Sequence, residues 1–250
     1  MRLDKYLSQC AVCSRKECAN AVKSGAVLIN DIPALRADQP VDAHRDRVMF
    51  RGTAVVYCAH FYIMMNKPAG VVSATEDTKD TTVLQLLPEN LQKKRLHPCG
   101  RLDKNTTGFV LLTDDGALSH ALLSPRRHVE KEYAFTVKFP LRPAEVQQLE
   151  QGVDISEEKP TKPCKIRLDD PQHGIIVLTE GKYHQIKRMM ECVHNQITSL
   201  RRISFAAIPL DPDLGPGEWR MLHEDEIAHL KRLAQLSAAP DTDTSCSEDA

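Results

Sequence analysis

The chain is poor in the residues that mark specialised classes. It has one tryptophan, 5% aromatic residues and only 11 glycines among 250 residues, which excludes a collagen-like or Gly-rich low-complexity chain. No apolar run approaches the ~20 residues that cross a bilayer, and no basic-then-apolar leader opens the chain. A cytoplasmic protein with no membrane partner is therefore expected. Neither GxGxxG nor a P-loop occurs, which leaves no ordinary dinucleotide or nucleoside-triphosphate site. Eight cysteines are scattered at positions 10, 13, 18, 58, 99, 164, 192 and 246 and read as free thiols in a reducing compartment. Cys10-Ala-Val-Cys13 has zinc-like spacing, but no second pair or His follows at a finger-like distance. No metal and no cofactor are expected.

Excess positive charge is also missing: 33 Lys plus Arg stand against 34 Asp plus Glu, a net charge of −1. The average conceals an uneven distribution. Residues 221–250 hold seven acids and two bases, leaving 31 bases against 27 acids over residues 1–220. That mild positive balance suits a nucleic-acid partner. The Ser-, Ala-, Asp- and Thr-rich stretch 237–250 has no apolar period and is expected to be a disordered acidic tail.

At the front, Leu3, Leu7 and Cys10 fall at helical spacing. Ser14-Arg15-Lys16-Glu17 is a capping box for a second helix, which carries Cys18, Ala21 and Val22 inward and stops at Gly25. Ala26–Ile29 reads as a strand turned by Asn30-Asp31. Arg15 and Lys16 occupy a first helical turn, where the dipole disfavours cations. They are a solvated charged face or a phosphate-facing one.

Further on, Phe61–Met65 and Phe109–Leu112 read as buried strands. Thr82–Leu87 reads as a short helix stopped by Pro88, Ala117–Leu123 and Pro143–Gln151 as helices, and Lys165–Leu168 and Ile175–Thr179 as strands. Tyr133, Phe135, Val137 and Phe139 alternate on one strand face. Asp114-Asp115-Gly116 is a turn, since adjacent carboxylates there point different ways. Arg126, Arg127 and His128 form a basic cluster that either touches RNA or is merely solvated. A helix starts near His184, burying Ile186, Met189, Met190 and Val193, with Lys187 and Arg188 close to its start, which calls for something negative nearby. Between these elements lies Gly100-Arg101-Leu102-Asp103-Lys104-Asn105-Thr106-Thr107-Gly108, a carboxylate in a Gly-bounded loop braced by a buried strand. From spacing alone, Asp103 is either a turn former or a catalytic acid.

Arg101-Leu102-Asp103-x-x-Thr106-x-Gly108 resembles the catalytic motif of the pseudouridine synthases, most closely the branch that modifies ribosomal RNA. Lys67-Pro68-x-Gly70 resembles that family's first motif, Lys131-x-Tyr133 another, and Gly181-Lys182-x-His184-Gln185-x-Lys187 a third. Arg2-Leu3-Asp4-Lys5-Tyr6-Leu7 through Ser14-Arg15 to Val27-x-Ile29-Asn30 resembles an S4 RNA-binding domain. The wording around Tyr183–Met189 and Leu210–Glu218 is most similar to the small-subunit enzymes. Three positions depart from the pattern: His194 stands where Gly is usual, Ser204-Phe205-Ala206-Ala207 replaces a Gly-containing segment, and His223 stands where a Thr commonly caps the last helix.

The resemblance implies an α+β chain: an S4 unit with linker over 1–55, a catalytic body over 56–236 built on a mixed, mainly antiparallel sheet with flanking helices, then the tail. It implies isomerisation of a uridine in small-subunit (16S) rRNA, or in an assembly particle containing it. Asp103 is then the catalytic acid, Tyr133 the base-stacking or proton-accepting ring, and Lys187 the ion-pair partner of Asp103. Arg101, Leu200 and Lys67 bind substrate, Lys67 from a first motif whose part is mainly structural, and Arg2, Lys5, Arg15, Lys16, Lys23, Arg126 and Arg127 meet RNA. Two rivals stay open: a sister enzyme acting on large-subunit (23S) rRNA, and a non-catalytic S4-bearing assembly factor.

Overall fold

The computed structural model describes residues 1–57 and 59–235, so the stretch 237–250 lies outside the described residues. The front of the chain folds around its own apolar cluster. Helix α1 (Leu3–Gln9) buries Leu3, Tyr6 and Leu7 against Cys18, Ala21 and Val22 of α2 (Arg15–Lys23). Ser14 Oγ accepts from Glu17 N at 3.2 Å and Glu17 Oε2 accepts from Ser14 N at 2.7 Å, the reciprocal cap expected of that motif. Strands β1 (Val27–Ile29), β2 (Ile32–Pro33), β3 (Val48–Phe50) and β4 (Thr53–Val55) form an antiparallel sheet in the order β2-β1-β3-β4. Asn30 and Asp31 turn β1 into β2 with φ of 52° and 65°, a region Asn and Asp tolerate.

The remainder runs β5 (Tyr62–Lys67), a 3-10 turn (Val83–Leu86), α3 (Glu89–Gln92), β6 (His97–Pro98), β7 (Thr107–Thr113) and α4 (Gly116–Leu123). It continues with β8 (Lys131–Val137), α5 (Pro143–Gln151), β9 (Lys165–Asp170), β10 (His173–Leu178) and α6 (Gln185–Cys192). Last come β11 (Ile197–Phe205), β12 (Ile208–Pro209), β13 (Trp219–Met221) and α7 (Glu224–Gln235). Nine strands make one sheet in the order β13-β5-β7-β11-β8-β10-β9, with β12 on β11 and β6 on β7. The β7–β11 pair is parallel and the other described pairs are antiparallel, so the class is α+β with a mixed, mainly antiparallel sheet.

Central strands β5 and β7 are apolar at successive positions because both faces are covered. Ile63, Met65, Val110 and Leu112 enter one core cluster, and Tyr62, Met64, Phe109 and Leu111 enter the other. Gly108 is required where β7 approaches β11: its φ is 99°, and an added Cβ would overlap the Arg202 carbonyl oxygen.

Some expectations need correction. The short helix expected over Thr82–Leu87 is a 3-10 helix over Val83–Leu86, and Pro88 caps the start of α3. Phe139 does not share the buried face of Tyr133, because β8 ends at Val137 and the Phe139 ring is 52% exposed. The family departures keep the glycine-like backbone. His194, Ala206 and Ala207 have φ of 56°, 55° and 60°, each at a cost of about 1 kcal/mol. Ahead of α7, Glu226 Oε2 accepts from His223 N at 2.7 Å, which is the glutamate half of a capping box.

Candidate active site

Asp103 sits on the loop between β6 and β7, and that loop is held from beneath. The fully buried Lys67 ammonium donates to the carbonyls of Pro68 at 3.0 Å, Lys104 at 3.0 Å and Thr106 at 2.8 Å. Gly70 N donates to Lys104 O at 2.9 Å, Leu102 N to Ser73 Oγ at 3.2 Å, and Thr106 N to Asp103 O at 3.0 Å. The first-motif segment thus shapes the loop that presents the acid. Lys67 was expected near the site in a mainly structural part as well as among the substrate-binding residues, and its three bonds to carbonyls are those of a brace for the loop. Burial pushes the Lys67 ammonium down to about 8, opposed by the charge of Asp103.

Two groups from the segment opening α6 face the acid. Lys187 Nζ lies 2.6 Å from Asp103 Oδ2, and His184 Nε2 lies 3.5 Å from Oδ1. The carboxylate therefore answers the basic start of α6. Arg188 finds its own counter-charge in Glu157 at 2.6 Å and also donates to the carbonyls of Tyr183 and Ile155. His184 has a left-handed φ of 48°, and its ring stacks on exposed Tyr183 with centroids 3.8 Å apart. Gln185 donates to Glu180 Oε1 at 2.7 Å and accepts from Lys182 N at 2.9 Å, which pins this segment. His184 lies within the Gly181–Lys187 motif, and nothing in its sequence context points to the acid. Its proximity to Asp103 depends on a tertiary approach of two loops.

Asp103, Arg101, Thr106, Tyr133, Ile186, Lys187 and Leu200 line one recess of ≈ 90 Å³. It shares Arg101, Asp103, Tyr133 and His184 with a larger cleft of ≈ 810 Å³. Tyr133 is 9% exposed on β8, Leu200 is 8% exposed on β11, and Arg101 is solvent-exposed at the rim. The Thr106 hydroxyl is buried and has no hydrogen-bond partner. An acid, a ring, an aliphatic wall and a cation thus meet in one concavity.

The basic residues assigned to RNA divide. Lys5, Arg15, Lys16, Lys23 and Arg126 are exposed. Arg2 is exposed but tied to Asp4 at 2.8 Å. Arg127 departs from expectation: it donates to the carbonyls of Leu233 at 3.1 Å and of Ala234, closing the last turn of α7. Asp114 and Asp115 are structural: Asp114 accepts from Phe61 N at 2.8 Å, and Asp115 accepts from Leu118 N at 2.9 Å at the start of α4.

This loop, ring and sheet define a class that comparison with known proteins identifies: the chain belongs to the RNA pseudouridylate synthase family, whose profile matches residues 61–192, preceded by an S4 domain match over residues 1–48. It is thus an isomerase by family. Among its relatives, an uncharacterised RNA pseudouridine synthase YtzG of Bacillus subtilis is 45% identical over 234 residues, 92% of this chain and 98% of that protein. The ribosomal small subunit pseudouridine synthase A of Yersinia pestis is 42% identical over 92% of this chain and 98% of its own length, and that of Escherichia coli K12 is 38% identical over 92% and 100%. A crystal structure of a pseudouridylate synthase superposes with a TM-score of 0.66 at 34% identity, covering 92% of this chain and 99% of that one. No helix among the described residues is long and apolar enough to cross a membrane.

Proposed function

We propose that this protein converts a specific uridine of small-subunit (16S) rRNA, as free RNA or within an assembly particle, to pseudouridine in the cytoplasm. The observation that carries the reading is the meeting of Asp103, Tyr133, Lys187 and Leu200 in one concavity. The names of the Yersinia and Escherichia relatives favour the small subunit as the target.

The reaction breaks the N1–C1′ bond, turns the uracil and joins C5 to the same carbon, with the C5 proton then lost to water or a nearby base. Asp103 is the catalytic carboxylate. It either attacks C1′ and holds the sugar covalently, or takes the C2′ proton so that the sugar passes through a glycal. To reach it the uridine leaves its stack, at a cost of a few kcal/mol. Stacking on the Tyr133 ring returns about 1–3 kcal/mol, enough to offset most of that cost. In this reading Tyr133 also takes the C5 proton and Leu200 walls the base, while Lys187 holds the carboxylate at 2.6 Å. Arg101 at the rim holds the everted nucleotide. Residues 1–55 act as a docking module for the body, 56–236, through phosphate contacts from Lys5, Arg15, Lys16 and Lys23, aided by Arg126, and this part weakens with salt.

Release of tritium from C5-labelled uridine in rRNA tests the reading. Asp103→Ala abolishes release while RNA affinity stays within a fewfold of wild type; equal loss of both makes Asp103 structural. Tyr133→Phe binds RNA but turns over slowly, and wild-type turnover removes Tyr133 from the chemistry. Mapping pseudouridines in both rRNAs of a strain lacking the gene decides the target: a site lost from large-subunit RNA alone overturns the small-subunit assignment.

A further inference from the structure

Beyond Asp103, the larger cleft is lined by two buried cations, neither bonded to a carboxylate among the described residues. Arg202 is 1% exposed. Its Nε donates to Phe109 O at 2.6 Å, while its Nη2 is enclosed with no hydrogen-bond partner. Lys131 is 9% exposed and its ammonium donates to Val129 O at 3.0 Å. Phe205 lies near both, its ring centroid 5.2 Å from the Arg202 guanidinium and 6.0 Å from Lys131 Nζ. A ring offsets only ~1–2 kcal/mol of such a charge, whereas desolvating an unpaired cation costs several.

The carboxylates lining this cleft are committed elsewhere. Asp103 faces Lys187 and His184, and Glu180 Oε1 accepts from Lys162 N at 2.8 Å and Gln185 Nε2 at 2.7 Å. Burial first, and the neighbouring Arg202 charge second, push Lys131 down to about 8 against a weaker upward pull from Cys99 and from Glu180, which acts on it through space without bonding it, so the ammonium is still charged at neutral pH.

We propose that Lys131, backed by Arg202, seats a phosphodiester group of the bound RNA beside the everted nucleotide. The inference rests on the function proposed above and adds an anion subsite to it. Its position follows from the sheet. Lys131 stands two residues before Tyr133 on the same buried face of β8, about 7 Å along the strand. Arg202 is the cross-strand partner of Tyr133 on β11. A base on the Tyr133 ring therefore brings a phosphate of its own strand within reach of the Lys131 ammonium. The subsite orders the backbone while the ring holds the base.

The test is a double cycle on affinity, using the full chain and an rRNA fragment carrying a neutral methylphosphonate at one phosphate at a time, scanned over the two phosphates on either side of the target uridine. Lys131→Met keeps the side-chain length and removes the charge; Lys131→Gln is also neutral and retains a donor for Val129 O. Each variant binds unmodified RNA about tenfold more weakly, with a salt slope lower by about one. At one phosphate position, methylphosphonate weakens wild-type binding by a similar factor and does not weaken the variants further. The melting temperature of Lys131→Gln stays near that of wild type, since a desolvated charge has gone while Val129 O keeps a donor. Unchanged affinity overturns the proposal, and so do losses that multiply at every phosphate position. A loss that Lys131→Gln restores also overturns it, because that marks the Val129 bond as the only role. Failure of the underlying reading appears separately, as no C5 tritium release by wild-type protein.

Discussion

Replacing Lys67 by Met tests how the reactive loop is held. Met keeps the length of the side chain and removes three donated hydrogen bonds, at 3.0, 3.0 and 2.8 Å, from a fully buried site. Lys104 O retains its bond from Gly70 N, so the carbonyls of Pro68 and Thr106 bear most of the loss. Each buried acceptor left unsatisfied costs about 1–3 kcal/mol, and relief of the buried charge returns part of that, for a net destabilisation of about 3 kcal/mol. Calorimetry should then show a melting temperature about 6–12 °C lower. Because the freed carbonyls flank Asp103, the rate of uridine isomerisation should fall by about 100-fold even where the variant is folded. The pH dependence provides a second measurement. The folded-state value near 8 lies below the ordinary lysine value of 10.5, so the unfolded chain binds more protons between those limits. The burial penalty is complete below about pH 8, and the stability of wild type relative to Lys67→Met should rise from there towards pH 10.5. A variant that melts and reacts like wild type, or a stability difference that narrows over this window, would refute the argument.

Gly108→Ala should cost at least about 3 kcal/mol, because a Cβ at φ 99° overlaps the Arg202 carbonyl of the parallel neighbour; urea unfolding measures it. Arg220 bonds Asp211 at 2.5 Å and Glu226 at 2.8 and 2.9 Å. It lowers the Asp211 carboxyl directly; for Glu226 burial pushes upward, and Arg220 together with the bond from His223 N outweighs it. These depressed carboxyls contribute stability above the ordinary carboxylate range and lose it as pH falls through their folded values, so Arg220→Met should flatten the acid limb of a stability–pH curve. Arg127→Ala should loosen α7 by about 1 kcal/mol with little change in RNA affinity, whereas Arg126→Ala should lower the salt slope of RNA binding by about one.

Local order was legible wherever neighbours along the chain decide it. The Ser14–Glu17 cap, the Asn30-Asp31 turn and the alternation of Lys131–Val137 need no distant partner to be read. Continuous apolar runs at β5 and β7 announced strands covered on both faces. The family motifs point to Asp103, Tyr133 and Lys187 by residue type and spacing, but not to His184 as a neighbour of the acid. What stayed hidden was what long-range approach alone creates. Trp219–Met221 is a strand only because β5 offers it an edge, and Arg127 caps a helix about a hundred residues away.

Residue type by itself determined that this chain carries a carboxylate in a Gly-bounded loop, an aromatic on a strand and a basic helix start, because loop, strand and helix are short-range properties. Tertiary structure alone decided that three backbone carbonyls enclose the Lys67 ammonium, and that Lys131 and Arg202 share a recess with no carboxylate bonded to either among the described residues. A lysine codes equally for solvent and for a cage of carbonyls, and only the packing of distant segments determines which surrounds it.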